Sequence, residues 1–156
     1  MPSFINKAFL ITICFFMLNN MAVAAMPFDD EFSYCFTLPR DTVENNEFSC
    51  KRKIFKESNQ RLNNEIKKLK AYIFQNYDNP WLLEDTEGTG PQIKDVFWQK
   101  FTLSQKKWQE SRDELCSAGA SLPGSWASAA GDIKDSCIIM MNQRRIDEIS
   151  MLYPSD

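Results

Sequence analysis

The stretch LSQKKWQESRDELC, residues 103–116, predicts an amphipathic helix whose inner stripe ends in a cysteine. Gln105, Trp108 and Arg112 follow one another at spacings of three and four residues, which places them on one side of a helix. A large ring and a guanidinium one turn apart, close to Cys116, are typical of internal packing and crosslinking. We therefore interpret this stretch as structural rather than catalytic.

Other long segments have the same periodicity. We predict helices from about residue 50 to 76, from about 92 to 117 and from about 129 to 152, after short helical pieces in residues 27–48 that Pro39 interrupts. The expected core-facing residues are Phe55, Leu62, Ile66, Leu69 and Ile73; Phe97, Phe101, Trp108 and Leu115; and Ile133, Cys137, Met140 or Met141, Ile149 and Leu152. No segment shows a competing strand pattern, so the prediction is an all-α fold, a small helical bundle.

The N-terminus has the pattern of a secretory signal peptide. Residues 1–25 contain one charge, Lys7, then an apolar run over residues 8–18 and the small residues Ala22-Val23-Ala24. An apolar run of this length is well short of the roughly 20 residues that span a bilayer, which argues against a stable membrane span. We predict one domain, residues 26–156, exported to the periplasm.

The mature chain would keep four cysteines, Cys35, Cys50, Cys116 and Cys137. An even number in an exported protein indicates two disulfides, with three possible pairings. We favour Cys35 with Cys50 and Cys116 with Cys137, because each pair joins neighbouring segments that can form a helical hairpin. The chain has no histidine and no Cys-x-x-Cys pair, so zinc is not expected.

Charge and composition narrow the functional classes. Without the signal peptide the chain has 17 basic and 21 acidic residues, which disfavours nucleic acid as a partner and suits a cationic one. No phosphate-binding loop or metal motif is present, and the acidic pairs Glu84-Asp85 and Asp113-Glu114 are more typical of solvated charge than of acid–base catalysis. We predict a protein that is not an enzyme and has no cofactor.

Two loops and one charged face are candidates for contact with a partner. Residues 76–92 predict a long acidic loop with Trp81 among Glu84, Asp85 and Glu87, and the second loop contains Gly124, Ser125 and Trp126. The basic residues between positions 51 and 70 are interpreted as the solvated face of an amphipathic helix, with an anion or membrane surface site as the alternative.

The order of these residues resembles the LprI-type lysozyme inhibitor domain of bacterial envelopes, with residues 76–92 as an insertion. The residues that carry the resemblance are Cys35, Cys50, Leu62, Asn63, Leu103, Gln105, Trp108, Arg112, Asp113, Cys116, Gly124, Ser125, Cys137 and Arg145. Departures are Asn59, where the family tends to have Asp, Ile66, where it tends to have Tyr, and Asn142, where it tends to have Thr.

The resemblance implies a periplasmic or envelope protein that binds and inhibits a lysozyme or another peptidoglycan-active enzyme. In this interpretation Leu62, Asn63, Gln105, Trp108, Arg112, Asp113 and Arg145 form an internal framework, and the two loops supply the contacts. The alternative is a binding module of another kind, such as an immunity protein against a secreted toxin or an envelope scaffold.

Overall fold

The computed structural model describes residues 30–40, 46–82, 88–125 and 127–153, and these residues contain four helices and no strand. The helices are α1 (Asp30–Cys35), α2 (Glu47–Asn76), α3 (Ile93–Ser121) and α4 (Ala130–Ser150). The prediction of an all-α fold is confirmed. The predicted signal peptide, residues 1–25, lies outside the described residues.

Helix α2 begins three residues earlier than predicted. Asn46 caps it, because its side-chain oxygen accepts a hydrogen bond from the backbone N–H of Ser49 at 2.8 Å. The predicted start at Cys50 therefore falls inside the first turn of the helix. Helix α3 ends at Ser121 rather than near residue 117.

The core is formed where the predicted stripes of three helices meet. Leu62, Leu69 and Ile73 of α2 pack with Phe101 of α3 and Ile149 of α4. Helix α4 packs along both long helices. The clearest ring contact between α2 and α3 is the edge-to-face pair of Phe74 and Trp98, whose ring centroids lie 6.3 Å apart. The fold is thus a three-helix bundle with α4 as the shared partner.

Two disulfides clamp the bundle, and both favoured pairings are confirmed. Cys35 of α1 is bonded to Cys50 of α2, and Cys116 of α3 is bonded to Cys137 of α4. They close loops with sequence separations of 15 and 21 residues. Each disulfide stabilises the folded state by roughly 3 kcal/mol on the loop-entropy model.

Several residues that the sequence places in the interior are exposed, and Asp113 is one of them. Leu115 is 58% exposed because the neighbouring Cys116 points toward α4 to form its disulfide, and adjacent helical residues diverge by about 100°. Asn63 is turned outward in the same way beside the buried Leu62. Leu152 lies beyond the end of α4 and is 48% exposed.

Candidate functional site

The framework residues of α3 meet α4 around the indole of Trp108. The guanidinium carbon of Arg112 lies 5.2 Å from the centre of the Trp108 ring, and that of Arg145 lies 5.4 Å from it. Nε of Arg145 also donates a hydrogen bond to Oε1 of Gln105 at 2.9 Å. The structure therefore brings Gln105, Trp108, Arg112 and Arg145 together. The spacing of the α3 stripe predicted that the first three share one side of the helix.

Arg112 reaches α4 through an amide rather than through a carboxylate. Its Nη1 donates to Oδ1 of Asn142 at 2.7 Å, and its Nη2 donates to the carboxylate of Asp113 at 2.7 Å. The carboxylate partner of Arg112 is thus on its own helix α3. Asp113 is half exposed, so this ion pair faces solvent on one side.

A buried polar network extends from Asn142 to α2. Asn142 is fully buried, and its Nδ2 lies 3.1 Å from Oγ of Ser58 and 3.2 Å from Oδ1 of Asn59. Sequence reasoning noted Asn59 and Asn142 as separate departures from the family pattern but did not connect them. The sequence does not connect them, because the two positions are 83 residues apart and only the fold brings them together.

A clamp of three charged side chains, Glu47, Lys51 and Asp132, joins α2 to α4 near the Cys35–Cys50 disulfide. The ammonium of Lys51 is hydrogen-bonded to Glu47 and lies 2.8 Å from Oδ2 of Asp132 of α4. It also lies 3.9 Å from the ring centre of Phe36. Sequence reasoning placed Lys51 in the basic run with the solvated lysines, and nothing in the local pattern distinguishes it from them.

The clamp shifts the pKa values of its members. Hydrogen bonds from Lys51, and then from Arg40, lower the pKa of Glu47. Burial opposes the charged form of Lys51, but hydrogen bonds to Asp132 and Glu47 outweigh it and raise its pKa. Burial, with the nearby charge of Asp132, raises the pKa of Asp135. Lys51, Glu47 and Asp132 bind one another, which indicates a structural role.

A further buried carboxylate, Glu65, lies in the second half of α2. The Tyr153 hydroxyl donates a hydrogen bond to Glu65, and burial together with this bond raises the pKa of Tyr153 to about 12. The Tyr153 ring packs against Tyr72, with the ring centroids 5.8 Å apart. The segment after α4 is therefore held on the core by one aromatic residue.

The loop that carries Trp81 is closed at its base. The backbone N–H of Trp81 donates to the carbonyl of Pro91 at 2.9 Å, and that of Ile93 donates to the carbonyl of Asn79 at 2.9 Å. Trp81 is 48% exposed and Leu82 is 57% exposed. The loop base thus presents two apolar side chains to solvent, immediately before the acidic residues Glu84, Asp85 and Glu87, which lie outside the described residues.

Trp81 borders a surface cavity through Lys100. The Lys100 ammonium lies 5.4 Å from the centre of the Trp81 ring, and the same side chain lines a cavity of about 310 Å³ between α3 and α4. The cavity has a mainly apolar wall with charged groups, formed by Phe97, Lys100, Phe101, Ser104, Arg145, Glu148, Ile149 and Leu152. Sequence reasoning did not find this cavity, because its lining residues are far apart in the chain.

The second candidate loop lies at the other end of α3. Gly124 has φ of 90°, a backbone conformation that favours glycine, and its N–H donates to the carbonyl of Ser121 at 3.0 Å. Ser125 is exposed, and Trp126 lies outside the described residues. At 1.5 Å per residue, Lys100 and Leu122 are about 33 Å apart along α3. The two predicted contact loops therefore belong to separate surfaces.

Among the described residues, no group of three Cys, Asp or Glu side chains is arranged to hold a metal ion. No helix in that part of the chain is both long and apolar enough to cross a membrane.

Comparison with known proteins identifies the family. The chain matches the family described as lysozyme inhibitor LprI over residues 40–149. It belongs to the LprI lysozyme inhibitor family. The matched residues include Trp108 with the arginines around it, and Asn142 with its hydrogen-bond partners. They also include three of the four bonded cysteines, whereas Cys35 precedes the match. No curated protein and no solved structure matches the chain. The family is a class of inhibitors rather than of enzymes.

Proposed function

We propose that the protein is exported to the periplasm and there binds and inhibits a lysozyme-type peptidoglycan hydrolase. The observation that carries this proposal is the family match over residues 40–149. The signal-peptide pattern in residues 1–25 and the two disulfides support export, because disulfides form and persist in oxidising compartments. The framework around Trp108 supports a rigid scaffold rather than the inhibitory surface, since the guanidinium groups of Arg112 and Arg145 are hydrogen-bonded to Asn142 and Gln105.

The Trp81 end of the bundle is our candidate contact surface. Trp81 and Leu82 are exposed apolar side chains on a loop whose base is fixed by backbone hydrogen bonds. An aromatic residue held on a rigid element is well suited to anchor an interface, because little conformational entropy is lost when it is buried. The cavity beside Lys100 lies next to it and can receive a side chain of the enzyme.

The distribution of charge also supports the Trp81 end of the bundle as the contact surface. The described residues contain 17 basic and 14 acidic side chains, so the helical body has a positive formal charge. The negative charge of the whole chain therefore comes from the remaining segments, which include Glu84, Asp85 and Glu87. This loop therefore contributes three of the acidic residues that would attract a basic enzyme.

The proposed inhibition is steric. Lysozyme-type enzymes hydrolyse glycosidic bonds with two carboxyl groups in a cleft. The loop 76–92 would cover this cleft, with Trp81 against its apolar wall and the acidic residues toward its basic rim. No reaction occurs on the inhibitor, so inhibition should be reversible and competitive with the glycan.

A lysis assay tests the proposal. The oxidised protein is added to peptidoglycan with lysozymes of several classes, at low and at physiological salt. We expect saturable inhibition of at least one class, with weaker inhibition at the higher salt because exposed charges are screened. The absence of inhibition for every class, by protein shown to be folded and disulfide-bonded, would contradict it and would favour an immunity protein or an envelope scaffold.

A further inference from the structure

The solvent-facing side of α2 carries positive charge, most of which has no ion-pair partner among the described residues. Helix α2 has eight basic and three acidic residues. Three of its cations are paired with acidic residues: Lys51 with Glu47 and Asp132, Arg61 with Glu31 at 3.9 Å, and Lys68 with Glu65 at 3.2 Å. The outward-facing cations are different.

Five exposed cations share one face of this helix. At about 100° per residue they fall within an arc of roughly 100°, in which no acidic residue occurs. They are Arg52, Lys53, Lys56, Lys67 and Lys70. In the part of the chain that the structure describes, only Lys53 among them has an ion-pair partner, Glu57, at 4.0 Å. Glu57 lies beyond the edge of this arc.

Two aromatic rings lie at the ends of the same face. Phe48 is 66% exposed, and the guanidinium carbon of Arg52 lies 4.4 Å from its ring centre. Phe74 is 36% exposed while one edge of it packs against Trp98 of α3, and the Lys70 ammonium lies 5.3 Å from its ring centre. The two rings are separated by 26 residues, or about 39 Å along the helix axis. The five cations and two rings are called the α2 outer face below.

We propose that the α2 outer face is a docking surface for an anionic lipid bilayer. A long helix with cations along its exposed side and aromatic rings at its ends has the chemistry of an interfacial helix, in which cations meet headgroup phosphates and rings enter the headgroup layer. A lone soluble anion would leave most of this length unused. The face would hold the protein at an anionic membrane surface without a membrane span.

The test is co-sedimentation of the oxidised, exported protein with vesicles of phosphatidylcholine alone and with vesicles that contain one third phosphatidylglycerol. We expect at least tenfold stronger binding to the anionic vesicles, and weaker binding as salt rises. The triple variant R52Q/K56Q/K67Q should lose about 100-fold of the binding, since each cation near such a surface contributes about fivefold.

A matched control removes three cations from the other helices. The variant K106Q/K107Q/R144Q has the same net charge as the first variant but an intact α2 outer face, and it should retain most of the binding. Phe48→Ala changes no charge and should weaken vesicle binding. Soluble polyphosphate serves as a probe for simple polyanion binding. The proposal would be overturned if the two triple variants lost equal amounts of vesicle binding. It would also be overturned if polyphosphate bound as tightly as vesicles and Phe48→Ala had no effect.

Discussion

Nη1 of Arg112 on α3 lies 2.7 Å from Oδ1 of Asn142 on α4, and the amide nitrogen of the same Asn142 lies within 3.2 Å of Ser58 and Asn59 on α2. One buried amide thus connects all three long helices. Because Asn142 is fully buried, any group left without its hydrogen bond there remains cut off from water. The network therefore fixes the relative position of the helices as well as their stability.

Removing the amide should destabilise the protein strongly. We expect Asn142→Leu to lower the free energy of unfolding by about 3 kcal/mol, because the Arg112 guanidinium loses a buried partner and Ser58 loses its donor. Urea denaturation of the oxidised protein measures this. The control is Asn63→Leu, which makes the same substitution at an exposed position of α2. It should change the free energy of unfolding by less than about 0.5 kcal/mol. Similar losses in both variants would contradict the network.

The two departures from the family pattern should be coupled. Asn59→Asp and Asn142→Thr restore the residue types that the family tends to have, and each alone replaces one partner of a direct hydrogen bond. We expect a coupling energy of about 1 kcal/mol or more in a double-mutant cycle, with the double variant more stable than the sum of the single effects predicts. Additivity within about 0.3 kcal/mol would show that the positions act independently.

The ion pairs of Glu47 should make the free energy of unfolding depend on pH in the acid range. Its folded-state pKa is lowered by Lys51 and Arg40, so the stabilisation is complete above the ordinary value of 4.5 and is lost as pH falls through the lowered value. Glu47→Gln should therefore reduce stability at pH 7 and flatten the decline in stability below about pH 5. Urea denaturation between pH 3 and 7 measures this. The exposed Glu57→Gln is the control. An unchanged acid decline in Glu47→Gln would refute the role of the clamp.

Each disulfide should contribute independently to stability. Replacing Cys116 and Cys137 together by serine should lower the free energy of unfolding by about 3 kcal/mol, and the Cys35 and Cys50 pair should give a similar loss. The measurement is denaturant unfolding of each double variant. A loss below about 1 kcal/mol for either pair would indicate that the reduced, unfolded chain is already constrained there.

The Trp81 surface should affect inhibition without affecting stability. We expect Trp81→Ala to weaken inhibition at least tenfold, because truncating an aromatic anchor typically costs an interface about 2 kcal/mol or more. The lysis assay measures the effect, and thermal unfolding checks that the fold is unchanged. Leu103→Ala removes an equally exposed apolar side chain from α3 and should be neutral. Loss of inhibition in Trp126→Ala instead would assign the contact to the second loop.

The bundle could be predicted because its signals are local. Helical periodicity placed Leu62, Leu69, Ile73 and Phe101 in the core, and the position of each cysteine next to a helix pair gave the correct disulfides. The prediction for Leu115 was wrong because periodicity alone does not decide which of two adjacent residues faces the core. Only the direction of the neighbouring Cys116 decides which side of the helix faces inward.

The site was less predictable because it depends on contacts between distant segments. Asn142 and Ser58 are 84 residues apart, and Lys51 and Asp132 are 81 apart, so no local pattern reveals that either pair is in contact. The cavity beside Trp81 combines residues of α3 with residues around the end of α4. By contrast, the spacing along α3 predicted that Gln105, Trp108 and Arg112 lie on one side of that helix. The contact of Trp108 with Arg145 of α4 could not be predicted from that spacing.

The most direct test of the account is equilibrium binding between the oxidised protein and a purified lysozyme, measured by calorimetry with and without a chitooligosaccharide in the enzyme cleft. The account predicts saturable one-to-one binding that the oligosaccharide weakens, because both ligands need the cleft. Binding that is unaffected by the oligosaccharide would contradict occlusion of the cleft. Absence of binding to every lysozyme class would contradict the proposed function itself.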